Sequence, residues 1–255
     1  MCARLHTTIR PPDSALRRAF TLVELLVVVA VIGILAGLLL PGLARARAAA
    51  DAARCVSNLH QTALAAQLYW DEHAGVAFSE RTVRTNGGWR YWFGWLQDGA
   101  EGQREFDATQ GALWPYFQGR GVEVCPSLNR ASPLFKAKAR GAAYGYAYNL
   151  LLGPRGLPGR ALTSVARPAG LAVFADGGQV NDFQEPASAE HPMLEEFYYF
   201  DTNTVSATVH FRHRGRAQVA FADGHVGTER ADHGSEDSRV AGQLCGRLRA
   251  ELVLP

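Results

Sequence analysis

The chain has 255 residues, of which 47% are hydrophobic and 20% charged, with a formal charge of +2. That composition excludes a disordered or collagenous polymer and leaves room for one sizeable core plus an anchoring segment. The 26 basic residues are scattered and form no block of like charge, so nothing in the pattern supports nucleic-acid binding.

Residues 1–19 carry Arg4, Arg10, Arg17 and Arg18 against the single acid Asp13, and contain Pro11 and Pro12. This is a short basic leader and not a packed element. Phe20-Thr21-Leu22-Val23-Glu24 follows, and then Leu25 to Leu40 has no polar side chain. As a helix, the stretch from Phe20 to Leu40 would rise about 31 Å, enough to cross a hydrocarbon core. An ordinary signal peptide or plain anchor would also place basic residues ahead of an apolar run. The run is, however, longer than the roughly 7–15 apolar residues of a cleaved secretory core. Glu24 inside it demands a partner, because a carboxylate is expensive in hydrocarbon. A newly freed amine on a neighbouring subunit would supply one. Gly33 and Gly37 form a small-xxx-small pair that lets helices approach closely.

The segment Arg17-Arg18-Ala19-Phe20-Thr21-Leu22-Val23-Glu24-Leu25-Leu26, with its apolar run and Pro41, resembles the prepilin-type cleavage and methylation segment of type IV pilins and type II secretion pseudopilins. The resemblance implies that a membrane aspartic peptidase cuts between Ala19 and Phe20 and methylates the new amine. It makes Glu24 the acidic fifth residue of the mature chain. The family's usual residue before the cut is Gly; here it is Ala19. Four of the 26 basic and one of the 24 acidic residues lie in the leader, so 22 and 23 remain, a nearly neutral balance that suits dense stacking.

Beyond Pro41 and Gly42, residues 43–75 read as a continuing amphipathic helix with Val56, Leu59, Ala63 and Ala66 at helical spacing. Pro41 is expected to kink or loosen the helix where it leaves the bilayer. His60 and His73 read as solvated or capping side chains.

From residue 76 onward glycine, aromatic and β-branched residues with frequent turn signals predict a β-rich domain reaching residue 255. Trp89, Tyr91, Phe93 and Trp95 would share one face of an extended strand. That row is either packing beneath the helix or a stacking platform for a flat ligand such as a sugar. Val122–Pro126 and Tyr144–Asn149 read as short strand and turn elements.

Two apolar strands end in Asp-Gly, at Asp176-Gly177 and Asp223-Gly224, and each predicts a tight hairpin. The second belongs to His213-x9-Asp223-Gly224, which resembles the H-X9-DG element near the C-terminus of a large bacterial prepilin-type group. His213, Asp176, Asp223 and His225 are candidate ligands for a divalent metal. Calcium would use Asp176 or Asp223 with backbone carbonyls. The alternative is that the aspartates cap turns and the histidines hydrogen-bond across the hairpin. The cysteines, Cys2, Cys55, Cys125 and Cys245, contain no CxxC pair; Cys55 and Cys125 form a bridge or stay as thiols. No nucleophile elbow, zincin, P-loop or dinucleotide fingerprint is present, so the sequence offers no support for an enzyme.

The expected fold is α+β, a long N-terminal hydrophobic helix packed on a C-terminal β-rich domain. The resemblance implies a filament subunit without cofactor in a type II secretion or type IV pilus-like system. It would lie as a single pass in the bacterial inner membrane with its C-terminal domain outside the cytoplasm. Its partners would be other pilin-like subunits, the prepilin peptidase, an inner-membrane assembly platform and lipid. Two other readings stand beside it: a membrane-anchored surface protein or minor pilin recognising a glycan or secreted substrate, and an anchored envelope enzyme.

Overall fold

Leucine and alanine from Leu22 onward, followed by an alanine- and arginine-rich stretch, are good helix formers that outweigh the interspersed β-branched valines, and they make one α-helix, α1 (Leu22–Glu72). The structure, a computed structural model, describes residues 21–119, 123–141 and 145–254, except the side chain of Val83. The predicted cleavage site, Ala19 and Phe20, lies outside the described residues, as do Cys2, Val122 and Tyr144. Pro41 lies inside α1 and does not end it. Two compact units divide the chain, Met1–Arg47 and Ala48–Pro255.

In the first unit, the large apolar side chains from Leu22 to Leu43 are 47–78% exposed. Their helix is long and apolar enough to cross a membrane.

In the second unit α1 buries Cys55, Leu59, Thr62, Ala66 and Trp70, a stripe at helical spacing. Leu59, Ala63 and Ala66 fall as expected, while Cys55 takes the inward position next to the half-buried Val56. The strands that follow are β1 (Arg81–Thr85), β2 (Gly88–Tyr91), β3 (Gly94–Gln97), β4 (Phe106–Asp107), β5 (Phe135–Lys136), β6 (Tyr146–Asn149) and β7 (Ala172–Asp176). Then come β8 (Gln179–Asn181), β9 (Met193–Glu195), β10 (Tyr199–Phe200), β11 (Val209–His210), β12 (Ala217–Phe221), β13 (Val226–Glu229), β14 (Cys245–Gly246) and a terminal turn of helix, α2 (Ala250–Val253). The fold is α+β, as expected.

The central sheet has the order β10-β6-β7-β12-β13, all antiparallel except β10 against β6. Every residue of β6, β7 and β12 is buried, since both faces are covered. On one side Tyr146, Tyr148, Phe174 and Ala220 pack with Cys55, Leu59, Ala63 and Trp70 of α1. On the other side Ala147, Ala175, Val219 and Phe221 pack with Val209, Phe211, Leu248 and Val253. Burial on both faces removes polar alternation from these strands, and their polar residues Asn149, Asp176 and Gln218 are hydrogen-bonded inside the core.

The aromatic segment departs from expectation. Residues 88–97 form the hairpin of β2 and β3, with Tyr91 opposite Gly94 and Arg90 opposite Trp95, so the four aromatic residues do not line one strand. Gly94, at φ 156°, accommodates the close approach of Phe106 and the Asp107 carbonyl behind the turn. Tyr91, Phe93 and Trp95 are buried, and Trp92 reaches the sheet against Phe174. The row is therefore core and not an exposed stacking platform. The first turn, Asn86-Gly87 between β1 and β2, has both residues at positive φ, the geometry that Asn-Gly favours. Of the two other expected elements, Tyr146–Asn149 is strand β6, while residues 123–125 belong to no strand or turn.

The two Asp-Gly pairs also behave differently. Asp223-Gly224 is the expected tight turn, joining β12 to β13, with Gly224 at φ 91°. Asp176-Gly177 is no hairpin: Asp176 ends β7 and the chain passes into β8 of another sheet, order β5-β9-β8. Gly177 is needed for space, since a Cβ there would stand 2.1 Å from the Phe197 carbonyl oxygen.

Candidate functional site

At the N-terminal end of α1, Thr21 and Glu24 form a capping box. Glu24 Oε2 accepts from the Thr21 amide at 2.8 Å and from its hydroxyl at 2.7 Å, while the Glu24 amide donates to Thr21 Oγ1 at 3.2 Å. Thr-x-x-Glu ahead of an apolar run is a signature of such a helix start. The carboxylate singled out for assembly thus already has a local partner in the unprocessed chain.

The His213–Asp223 element splits into two places. Asp223 and Gly224 form the turn, where Asp223 Oδ1 meets His225 Nδ1 at 2.6 Å with both side chains largely exposed. The turn docks on α1, because His60 Nδ1 lies 3.1 Å from the Gly224 carbonyl oxygen. His73 meets the Tyr69 carbonyl oxygen at 2.7 Å near the end of α1 and stacks on the Tyr69 ring, the capping role expected of it.

His213 reaches instead into the core, where it meets Asp176. Its Nε2 is 3.3 Å from Asp176 Oδ2 and 3.4 Å from Cys125 Sγ. Cys55, from α1, donates to Asp176 Oδ1 at 3.3 Å. Arg212 lies 3.5 Å from the same oxygen and is anchored by its Nη2 on the carbonyls of Gly145 and Gly177. The Gln218 amide donates to Asp176 Oδ2 at 2.8 Å. Asp176 is therefore not a turn cap. It is a buried carboxylate surrounded by a guanidinium, an imidazole and two sulfurs.

The electrostatics follow from burial and pairing. Burial works to raise the Asp176 pKa, but the Arg212 charge and the His213 bond hold it below the usual carboxylate range. Burial opposes charge on His213, yet Asp176 and Cys125 bring its pKa up to about 9. Cys125 is lowered to about 5, chiefly by the neighbouring Cys55 side chain and with help from His213, while desolvation drives Cys55 well above its ordinary value. Both thiols, like that of Cys245, are free and buried.

Of the residues singled out as metal candidates, Asp176 and His213 come together, whereas Asp223 and His225 pair on the exposed turn. Sequence reasoning did not connect Cys55, Cys125 and Arg212 to them. The one available signal was that Cys55 lies on the buried stripe of α1.

Residues 15–40 match the model of the prokaryotic N-terminal methylation motif. No curated protein and no solved structure is significantly similar to the chain. The matched segment holds the capping box and the exposed apolar part of α1. It makes the N-terminus a type IV pilin-like prepilin segment, and with it implies processing by a prepilin peptidase and assembly with other pilin-like subunits.

Proposed function

We propose that the chain is a filament subunit of a type II secretion or type IV pilus-like machine, cut between Ala19 and Phe20 and packed through the apolar part of α1. The observation that carries the reading is the coincidence of the methylation motif with an apolar helical surface exposed along its whole length. Such a surface requires lipid or another helix to cover it. Glu24 then serves assembly by leaving its capping contact with Thr21 to pair with the free amine of a neighbouring subunit. The action is mechanical: subunits enter and leave a filament while an ATPase elsewhere supplies the work. The globular unit faces away from the cytoplasm and carries no catalytic role.

The test separates charge from capping. Glu24→Gln keeps an acceptor oxygen for Thr21 but removes the negative charge. Mass spectrometry of that variant should still show loss of residues 1–19 and gain of one methyl group, while sheared or cross-linked filament fractions should be empty. Filaments assembling at the unsubstituted level would sink the pairing, and an N-terminus still upstream of Phe20 in the parent protein would sink the whole reading.

A further inference from the structure

Beyond filament assembly, the core of the globular unit contains a donor set that neither the motif nor the apolar helix accounts for. We propose that Cys55, Cys125, Asp176 and His213 bind a soft divalent transition metal, zinc in the first instance, between α1 and the central sheet. One donor atom from each of the four residues lies within 4.8 Å of every other. A tetrahedral zinc with bonds of about 2.0–2.3 Å separates its donors by roughly 3.3–3.8 Å. Three contacts already fall near that length: 3.3 Å from Cys55 Sγ to Asp176 Oδ1, 3.3 Å from His213 Nε2 to Asp176 Oδ2 and 3.4 Å from His213 Nε2 to Cys125 Sγ, so that either carboxylate oxygen stands beside one of the other donors.

The chemistry of the set selects the ion. Two sulfurs, one imidazole nitrogen and one carboxylate oxygen suit zinc and not calcium or magnesium, which require oxygen donors. The charges also balance. Two thiolates and one carboxylate beside the buried Arg212 guanidinium sum to −2, which a dication neutralises in a place where an uncompensated charge is costly. Outer contacts fix the carboxylate, with the Gln218 amide on Oδ2 and Arg212 beside Oδ1. Of the four donors His213 also lines a cleft of about 260 Å³, together with Ser127, Arg212, Arg214, Gln218 and Thr228. The site would tie α1 to the segment around Cys125, to β7 and to the segment before β12, four parts of the chain far apart in sequence.

The full chain, processed and purified in detergent without chelators, provides the test. Its metal content should be one zinc per chain by elemental analysis. Cobalt added to the chelated protein should give the d–d bands of a tetrahedral ion with thiolate-to-cobalt charge transfer. Cys125→Ser and His213→Ala should each weaken cobalt binding at least tenfold. The cobalt spectrum of the unsubstituted protein keeps the proposal testable should either variant not fold. Three results would overturn it: a mass two hydrogens short with Cys55 and Cys125 joined in a disulfide, free thiols that take up no cobalt, or unchanged cobalt binding in the Cys55→Ala, Cys125→Ala double variant.

Discussion

His60 Nδ1 lies 3.1 Å from the carbonyl oxygen of Gly224, so the second part of α1 and the turn between β12 and β13 are tied by one hydrogen bond across 164 positions of sequence. Gly224 answers two demands at that place. Its φ of 91° is one that L side chains rarely adopt, and a Cβ would stand 2.7 Å from Gln67 Nε2. Gly224→Ala should therefore destabilise the globular unit by about 1–3 kcal/mol. Gln67→Ala added to it should restore only the part due to crowding. All five tryptophans lie between Trp70 and Trp114, so tryptophan fluorescence during thermal melting of the full chain in detergent reads this unit alone. An unchanged transition in Gly224→Ala would remove the geometric account of the Asp-Gly turn.

The same element shows what could be read in advance. The apolar run, the β-rich remainder and the turn at Asp223-Gly224 were legible because each depends on local chemistry: a span without polar groups, punctuation by glycine, a dipeptide suited to positive φ. Asp176-Gly177 carries the same dipeptide and is not a turn, because Gly177 is set by the nearby Phe197 carbonyl, a contact between distant segments. The aromatic row failed for a related reason. Alternation from Trp89 to Trp95 reads as a strand until the chain reverses at Trp92-Phe93 to bury both faces. The meeting of Cys55, Cys125, Asp176 and His213 was beyond sequence reasoning, since no fixed spacing links residues from four separate segments.

Glu80 provides a pH-dependent test. Its side chain is fully buried, with Oε2 3.2 Å from Arg155 Nε and Oε1 without a hydrogen-bond partner. Desolvation outweighs Arg155 and Arg81 and pushes its pKa from 4.5 up to about 7. A carboxyl with a raised folded pKa binds more protons when folded, so its contribution is fully present below pH 4.5 and is lost as pH rises through about 7. The slope within that window is at most about 1.4 kcal/mol per pH unit. Glu80→Gln should be less affected by alkali than the parent, so the difference in melting temperature should turn in its favour between pH 5 and pH 8. Groups common to both proteins cancel in that difference. A difference that stays flat across the range would show that Glu80 does not titrate there.

The third prediction concerns a buried ionic group beneath β5 and β9. Lys136 is paired in register with Glu195, and its Nζ lies 2.9 Å from Glu195 Oε2. Lys138 meets Glu195 Oε1 at 2.8 Å and Glu101 Oε1 at 3.1 Å, and Lys136 also contacts Glu101. Both lysines and Glu195 are at most 3% exposed. Arg104, less buried, adds a third cation 3.6 Å from Glu101 at the edge of the group. Removing Lys138 or Glu195 from its buried centre leaves the remaining charges there imperfectly paired. Lys138→Met and Glu195→Gln should therefore each cost about 3–5 kcal/mol. The double variant, which removes one charge of each sign, should cost clearly less than the sum of the two. The cycle is measured by denaturant unfolding with tryptophan fluorescence. Strict additivity would mean that Lys138 and Glu195 act on stability independently, and that their proximity carries no coupling.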